Sequence, residues 1–210
     1  MTKRSIRMCG LAAVLALATA ARAPALGADA PAALRLPAVI GNHMVLQRDQ
    51  PVPLWGWDRP GTKVTVRFAG QEQSAPAGAD GKWMVRLDAM PACAEPAQMT
   101  VTGSSKITLS DVLVGEVWLC SGQSNMEQGM KMIDDSAREI ADADHPHLRL
   151  LLVPKRPSLV PVDDVNARWQ PCTPQTVAQG GWGGFSAAAY FFGRKIHKDV
   201  KVPVGLIESA

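Results

Sequence analysis

Apolar residues fall at every second position in Lys63-Val-Thr-Val-Arg-Phe68 and again in Lys82-Trp-Met-Val-Arg-Leu87. That is the period of a strand with one buried face. Gln98-Met-Thr-Val-Thr102 and Lys106-Ile-Thr-Leu109 add two more strands of this kind. Pro51-Val-Pro-Leu-Trp-Gly-Trp57 runs into a turn at Asp58-Arg-Pro-Gly61, and Ala79-Asp80-Gly81 reads as a hairpin-type turn. Short strands punctuated in this way predict an antiparallel β-sandwich over residues 34–110.

The pattern changes after Asp111. Val112-Leu-Val-Gly-Glu-Val-Trp-Leu119 is a nearly continuous apolar run, as expected of a strand buried on both faces. Residues 134–143 predict a helix capped by Asp134, with Ile133, Ala137 and Ile140 on one side. Leu148–Val153 predicts a second buried strand, stopped by Pro154. Residues 154–182, rich in Pro, Gly and Gln, read as a long loop. Phe185–Val200 predicts a helix capped by Ser186, and Pro203–Ile207 a third strand. Strand, helix, strand, loop, helix, strand implies a parallel α/β sheet over residues 111–210.

Charge separates the first residues from the rest. The chain has 210 residues and a net charge of +3. Four of its 22 basic residues, Lys3, Arg4, Arg7 and Arg22, lie near the start; the other 18 are outnumbered by 19 acids. The body therefore has no basic surplus for nucleic acid. Lys3, Arg4 and Arg7, an apolar stretch over 8–21 and an Ala-rich exit toward Ala30 predict a signal peptide over 1–28, and so a periplasmic or secreted protein. The stretch is shorter than the ~20 residues of a membrane span. No membrane anchor is expected after cleavage. Cys9 follows a poor lipoprotein signal. Cys93, Cys120 and Cys172 remain, an odd number, so at least one thiol is unpaired within the chain.

Candidate chemistry is concentrated at Cys120-Ser-Gly-Gln-Ser-Asn-Met-Glu127. A buried strand ends there and a Gly-containing turn follows. Ligands bind at the carboxyl ends of strands in open α/β sheets. Ser124 at such a turn has the exposure a nucleophile needs, with helix-start N–H groups available to an oxyanion. Ser124-Asn-Met-Glu127 also fits a capping box, in which the same hydroxyl binds the helix start. Spacing leaves both roles open. Ser121 ranks second, because it precedes the turn. Met126 stands where the elbow of α/β-hydrolases has its second Gly.

The stretch Leu113-Val-Gly-Glu-Val-Trp-Leu-Cys-Ser-Gly-Gln-Ser-Asn-Met126 resembles the nucleophile block of bacterial sialate O-acetylesterases, of the SGNH/GDSL hydrolase superfamily. Leu46-Gln47, Pro53–Gly56, Gly81-Lys-Trp83, Phe185–Gly193 and Val202–Ile207 resemble flanking parts of that family. The resemblance implies a serine esterase in which Ser124 attacks the acetyl carbonyl of an O-acetylated sugar. Its own N–H would help form the oxyanion hole, and Gln123 and Asn125 would position substrate. It implies no cofactor and no metal. The fold expected is an N-terminal antiparallel β-sandwich followed by an incomplete α/β, SGNH-hydrolase-like parallel-sheet domain.

The departure from the family is at the C-terminus. Members carry a Trp-Gly-Gly-Thr segment and a late Asp-x-x-His block, and both are missing here. Asp142-Ala-Asp-His145 matches the second pattern but falls at the amino end of a predicted strand, so it reads as a helix end. His145 and His147 lack a third metal ligand, and His43 and His197 read as structural. Trp182-Gly-Gly184 precedes a helix and reads as loop. Trp55, Trp57 and Trp83 fit a core better than a sugar platform. Two classes remain: an O-acetylesterase represented by its N-terminal part and inactive alone, or a non-catalytic sugar-binding or interaction module.

Overall fold

The computed structural model describes residues 33–210, so the expected signal peptide lies outside the described residues. The strands are β1 (Val45–Gln47), β2 (Val52–Trp57), β3 (Lys63–Phe68), β4 (Gln71–Pro76), β5 (Lys82–Leu87), β6 (Cys93–Thr102), β7 (Lys106–Ser121), β8 (His145–Leu152), β9 (Trp169–Cys172) and β10 (Val204–Ser209). The helices are α1 (Ser124–Glu127), α2 (Ser136–Ala141), α3 (Pro174–Val177) and α4 (Ala187–Val200). The result is a mixed β-sheet with few helices. Eight strands form one sheet, and β2 and β5 form a separate pair.

Strand β7 is the spine. Its first part pairs antiparallel with β6. Leu113–Gly115 pairs parallel with β1, and Glu116–Ser121 pairs parallel with β10. β10 is also parallel to β8, and β8 is antiparallel to β9. The strands predicted at 106–109 and 112–119 are thus one element. Asp111, at φ 57°, kinks it without breaking it. The change of pattern at residues 110/111 falls inside a strand: antiparallel pairing with β6 shifts register there and runs on to Val114, while parallel partners join from Leu113 onward.

Burial along β7 also departs from expectation. Val112–Gly115 is buried, but Trp118 is 41% exposed and Leu119 68%. Among the described residues, β10 is the one strand paired with Glu116–Ser121, so this end of β7 has one covered edge.

Three other expectations are corrected. The turn at Ala79–Gly81 makes no hairpin: it hands the chain from β4, paired with β3, to β5, paired with β2. The predicted loop 154–182 contains β9 and α3. Thr173 caps α3, and Thr173 and Thr176 bond each other's backbone reciprocally, with Pro174 in the first turn. Helix α2 is shorter than 134–143. It is preceded by Asp135 in the left-handed region, and Ala137 is exposed.

Two apolar cores flank the kink. The first joins Leu54 of β2 and Leu87 of β5 to Val64, Val66, Met99 and Val101 of β3 and β6, and Trp83 is buried within it. Trp57 is buried too, with the Arg35 guanidinium 3.6 Å from its ring centroid. The second packs Tyr190 and Ala189 of α4 on Leu148, Leu150, Val204 and Leu206. Burying each large side chain contributes about 1.5–3 kcal/mol. Ser186 caps α4 by accepting from Ala189 N at 3.1 Å. Gly193 lets the helix approach β10: a Cβ there would lie 2.6 Å from Leu206 Cδ1. Cys93, Cys120 and Cys172 are all free thiols. Among the described residues, no helix is long and apolar enough to cross a membrane.

Candidate active site

The parallel strands set one end of the sheet apart. Register aligns Leu152 of β8 with Glu208 of β10, and Glu208 with Cys120 of β7. The carboxyl ends of three strands therefore lie side by side, and the chain leaving β7 turns at once through Gly122 into α1. A Cβ on Gly122 would press on Met126 Cβ at 3.1 Å, which explains the smallest residue at this bend.

Ser124 is the first residue of α1, and Gln123 is the N-cap; no side chain caps this helix. The capping box admitted by Ser124 and Glu127 does not form, because Ser124 lies one position inside the helix. Its side chain is exposed and makes no hydrogen bond among the described residues. Ser124 and Asn125 also open the helix, so their N–H groups have no partner a turn earlier. Gln123 and Asn125 are exposed, without side-chain hydrogen bonds among the described residues, on either side of Ser124. Ser121 is the last residue of β7, paired in register with Ser209.

The turn is anchored from the loop before α4. Gly129 N donates to Trp182 O at 3.0 Å, Lys131 N to Gly183 O at 2.8 Å, and Ala187 N to Gln128 O at 2.9 Å. A Cβ on Gly129 would lie 2.4 Å from Gly183 C, so the two segments touch backbone to backbone. Trp182-Gly-Gly184, read from sequence as loop, is the wall against which the α1 segment rests.

A cleft of about 260 Å³ opens at these strand ends, lined by Glu127, Leu152, Lys155, Trp182 and Glu208 among others. Glu127 forms an ion pair with Lys155 at 2.6 Å. Glu208 is buried, and one oxygen accepts from Ser186 N at 2.7 Å. Burial pushes its carboxyl above the ordinary range; the Ser186 bond offsets this in part, and Glu127 adds to it. Burial, with Glu208 beside it, likewise raises the Cys120 thiol. Sequence reading passed over Glu208 and Lys155. The available signal was a lone acid closing the apolar strand Val204–Ile207.

No histidine reaches this end. His145 opens β8 and Leu152 closes it, so the 8-residue strand, on the order of 20 Å long, separates the two. It stacks on Tyr190, with centroids 6.1 Å apart, and its buried Nε2 has no partner. Burial, then Arg194, lowers its pKa. His147 packs against His197, whose Nδ1 lies 2.7 Å from Val202 O. His43 is bound to Asp111 in the kink of β7, at 2.6 Å. The described residues hold no cluster of three His, Cys, Asp or Glu side chains fit for a metal ion.

No protein-family model matches the chain. It is 31% identical over 221 residues to the sialate O-acetylesterase of Rattus norvegicus, a match covering 98% of this chain and 40% of the relative. The sialate O-acetylesterase of Homo sapiens is 34% identical over 192 residues, covering 84% and 36%. Among solved structures, a carbohydrate acetylesterase from Xanthomonas citri superposes with a TM-score of 0.78 at 36% identity, covering 84% of this chain and 40% of that one. The chain thus spans about two fifths of the length of the relatives it matches.

Proposed function

Because the chain belongs to the sialate O-acetylesterase family, we propose that it carries the nucleophile-bearing part of a secreted carbohydrate O-acetylesterase. On this reading a β-sandwich precedes an incomplete SGNH-type sheet. Ser124 attacks the acetyl carbonyl of an O-acetylated sugar, the acetyl–oxygen bond to the sugar breaks, the sugar leaves as its alcohol with the proton given up by the serine, and water then hydrolyses the acetyl-serine ester to acetate. The N–H groups that open α1 stabilise the oxyanion, and Gln123 and Asn125 position the sugar. The observation that carries this reading is the state of Ser124: exposed, unbonded, and held just past the carboxyl end of β7, on the same helical turn as Glu127, which lines the cleft. A purely capping serine has its hydroxyl engaged.

An attacking serine needs a base. The four histidines of the chain are placed elsewhere, at β8, at α4 and at the kink of β7. We therefore propose that these 210 residues alone show little or no esterase turnover. That same observation supports the second reading, a non-catalytic sugar-binding or interaction module.

A chimera separates the two. This chain replaces the matching segment of the Xanthomonas citri acetylesterase, and hydrolysis of p-nitrophenyl acetate and of O-acetyl sugars is measured. The chimera should turn over, Ser124→Ala should reduce the rate by several powers of ten, on the order of 10⁶, and Ser121→Ala should keep most of it. Near-normal rates in Ser124→Ala would overturn the assignment. Enzyme-level turnover by the chain alone, abolished by Ser124→Ala, would instead require a base within it.

A further inference from the structure

Three of the four histidines lie along one seam, between the start of β8 and helix α4. His145 stacks on Tyr190 with ring centroids 6.1 Å apart, and the His147 ring lies 5.9 Å from that of His197. Val202 O accepts from His197 Nδ1 at 2.7 Å, so a further proton on that ring goes to Nε2. Protonation of His147 and His197 together would set two like charges against each other across the seam.

The surroundings of His145 have little use for a positive charge. Its Nε2 is buried and has no partner among the described residues. On a neutral ring this atom can be a bare lone pair; on a protonated ring it is a buried charged donor with nothing to receive it. From α4, Arg194 and Lys198 act on it as cations, and His197 joins them when charged. Glu139 of α2 is already paired with Arg194 at 2.8 Å. Tyr190, and Cys172 opposite His145 in the β8–β9 register, could offset the charge only as anions. Burial raises both, the Cys172 thiol to about 12, so both stay neutral. Asp144 is the facing group that favours the charged ring.

Helix α4 connects this seam to the support of α1. Tyr190 N donates to Ser186 O at 2.9 Å, one turn away. Ser186 N in turn donates to Glu208, and Ala187 N to Gln128 O. We propose that the His145–His147–His197 seam is an acid-operated release: the neutral rings let α4 lie on β8, and their protonation in mild acid frees the helix and with it the support of α1. The release is a property of the fold; only its effect on turnover rests on the esterase reading.

Burial sets the direction of the response. Burial first, then Arg194, Lys198 and His197, hold His145 below its ordinary value of 6.5. The unfolded chain therefore takes up this proton first. The contribution of His145 to stability is whole above 6.5 and is lost as pH falls through that value toward the folded one. Asp111 loses its contribution only below 3.8, and Glu208 changes with the opposite sign, so neither imitates the effect.

The test is hydrogen exchange of the α4 amides in the full chain, corrected for intrinsic rates, at about pH 7.5 and about pH 5.5. Protection of the helix should fall about tenfold at the lower pH. His145→Phe keeps a ring against Tyr190 and cannot be protonated, and His145→Gln does the same service with a smaller side chain. Either should retain most of the protection in acid, and His147→Gln part of it. In the chimera, the turnover of His145→Phe relative to wild type should rise several-fold between the higher and the lower pH. Unchanged protection of wild-type α4, or an equal loss in a folded His145 variant, would overturn the proposal. A flat turnover ratio alongside falling protection would overturn the link to α1. A chimera without turnover would count against the esterase reading alone, because the exchange measurement involves no ester chemistry.

Discussion

Asp111 and Ser124 are borne by one stretch of chain, β7 and the turn that follows it, and the fold treats them oppositely. Asp111 engages both carboxylate oxygens. Its Oδ1 receives Arg149 Nη2 at 2.9 Å, and its Oδ2 receives Arg149 Nη1 and faces His43 Nδ1. Arg149 in turn is buried and donates its Nε to Pro146 O. The cluster ties the kink of β7 to β8 and to the segment before β1. An Asp–His pair of this kind resembles two thirds of a catalytic triad. Its bonds go to Arg149, and among the described residues no hydroxyl or thiol bonds to either side chain. Ser124, at the other end, has no such partner. The contrast separates two kinds of polar residue: one engaged by its neighbours through both carboxylate oxygens, the other held in place by backbone with its hydroxyl left free.

The largest effect should come from Ser124. In the chimera, Ser124→Ala should abolish acetyl-ester turnover while changing denaturant stability by no more than about 0.5 kcal/mol, as for other exposed sites. A matching loss of stability would erase the contrast. Asp111→Ala should do the reverse. It leaves a buried guanidinium unpaired, at a cost of about 3 kcal/mol in urea unfolding, and should spare turnover per folded molecule.

Gly129→Ala should fall between them, since the added Cβ would lie 2.4 Å from Gly183 C. Overpacking of this kind costs about 1–3 kcal/mol, and here it also displaces the wall that supports α1. Both the melting temperature and the chimera's turnover should fall.

The smallest effects are in pH dependence, where the two ends should differ in sign. Burial raises the carboxyl of Asp111, but the bonds from Arg149 and His43 outweigh it and hold the group below its ordinary value. Its contribution to stability is present above the unfolded value of 3.8 and is lost as pH falls through the lower, folded value. Burial raises Glu208 above its unfolded 4.5, so its contribution is complete below that pH and is lost as pH rises through the folded value. Glu208→Gln keeps an acceptor for Ser186 N and should stabilise the protein at neutral pH, with the gain vanishing in acid. Urea midpoints measured from pH 3 to 8 check both directions.

Local pattern was a good guide wherever one residue's neighbours in sequence are its neighbours in space. The alternation in 63–68 and 82–87, the cap at Ser186 and the strand ending before Ser124 are all of this kind. The α3 segment was equally local, with Thr173, Pro174 and Thr176 spelling its cap, yet the surrounding Pro and Gly residues obscured it.

The amino-acid sequence by itself determined the strand periods, the chemistry gathered at Gly122–Glu127 and the family resemblance, because these depend on side-chain type and short spacing. Only the tertiary structure decided that β7 is one strand serving two sets of partners, since Asp111 keeps its kink through bonds to residues 68 and 38 positions away. It also decided that the capping box open to Ser124 and Glu127 does not form. A capping box and a free hydroxyl share one sequence, and they differ by a single residue in where the helix begins. The backbone of Gly183 and Phe185, pressed against Gly129–Lys131, sets that geometry from far along the chain.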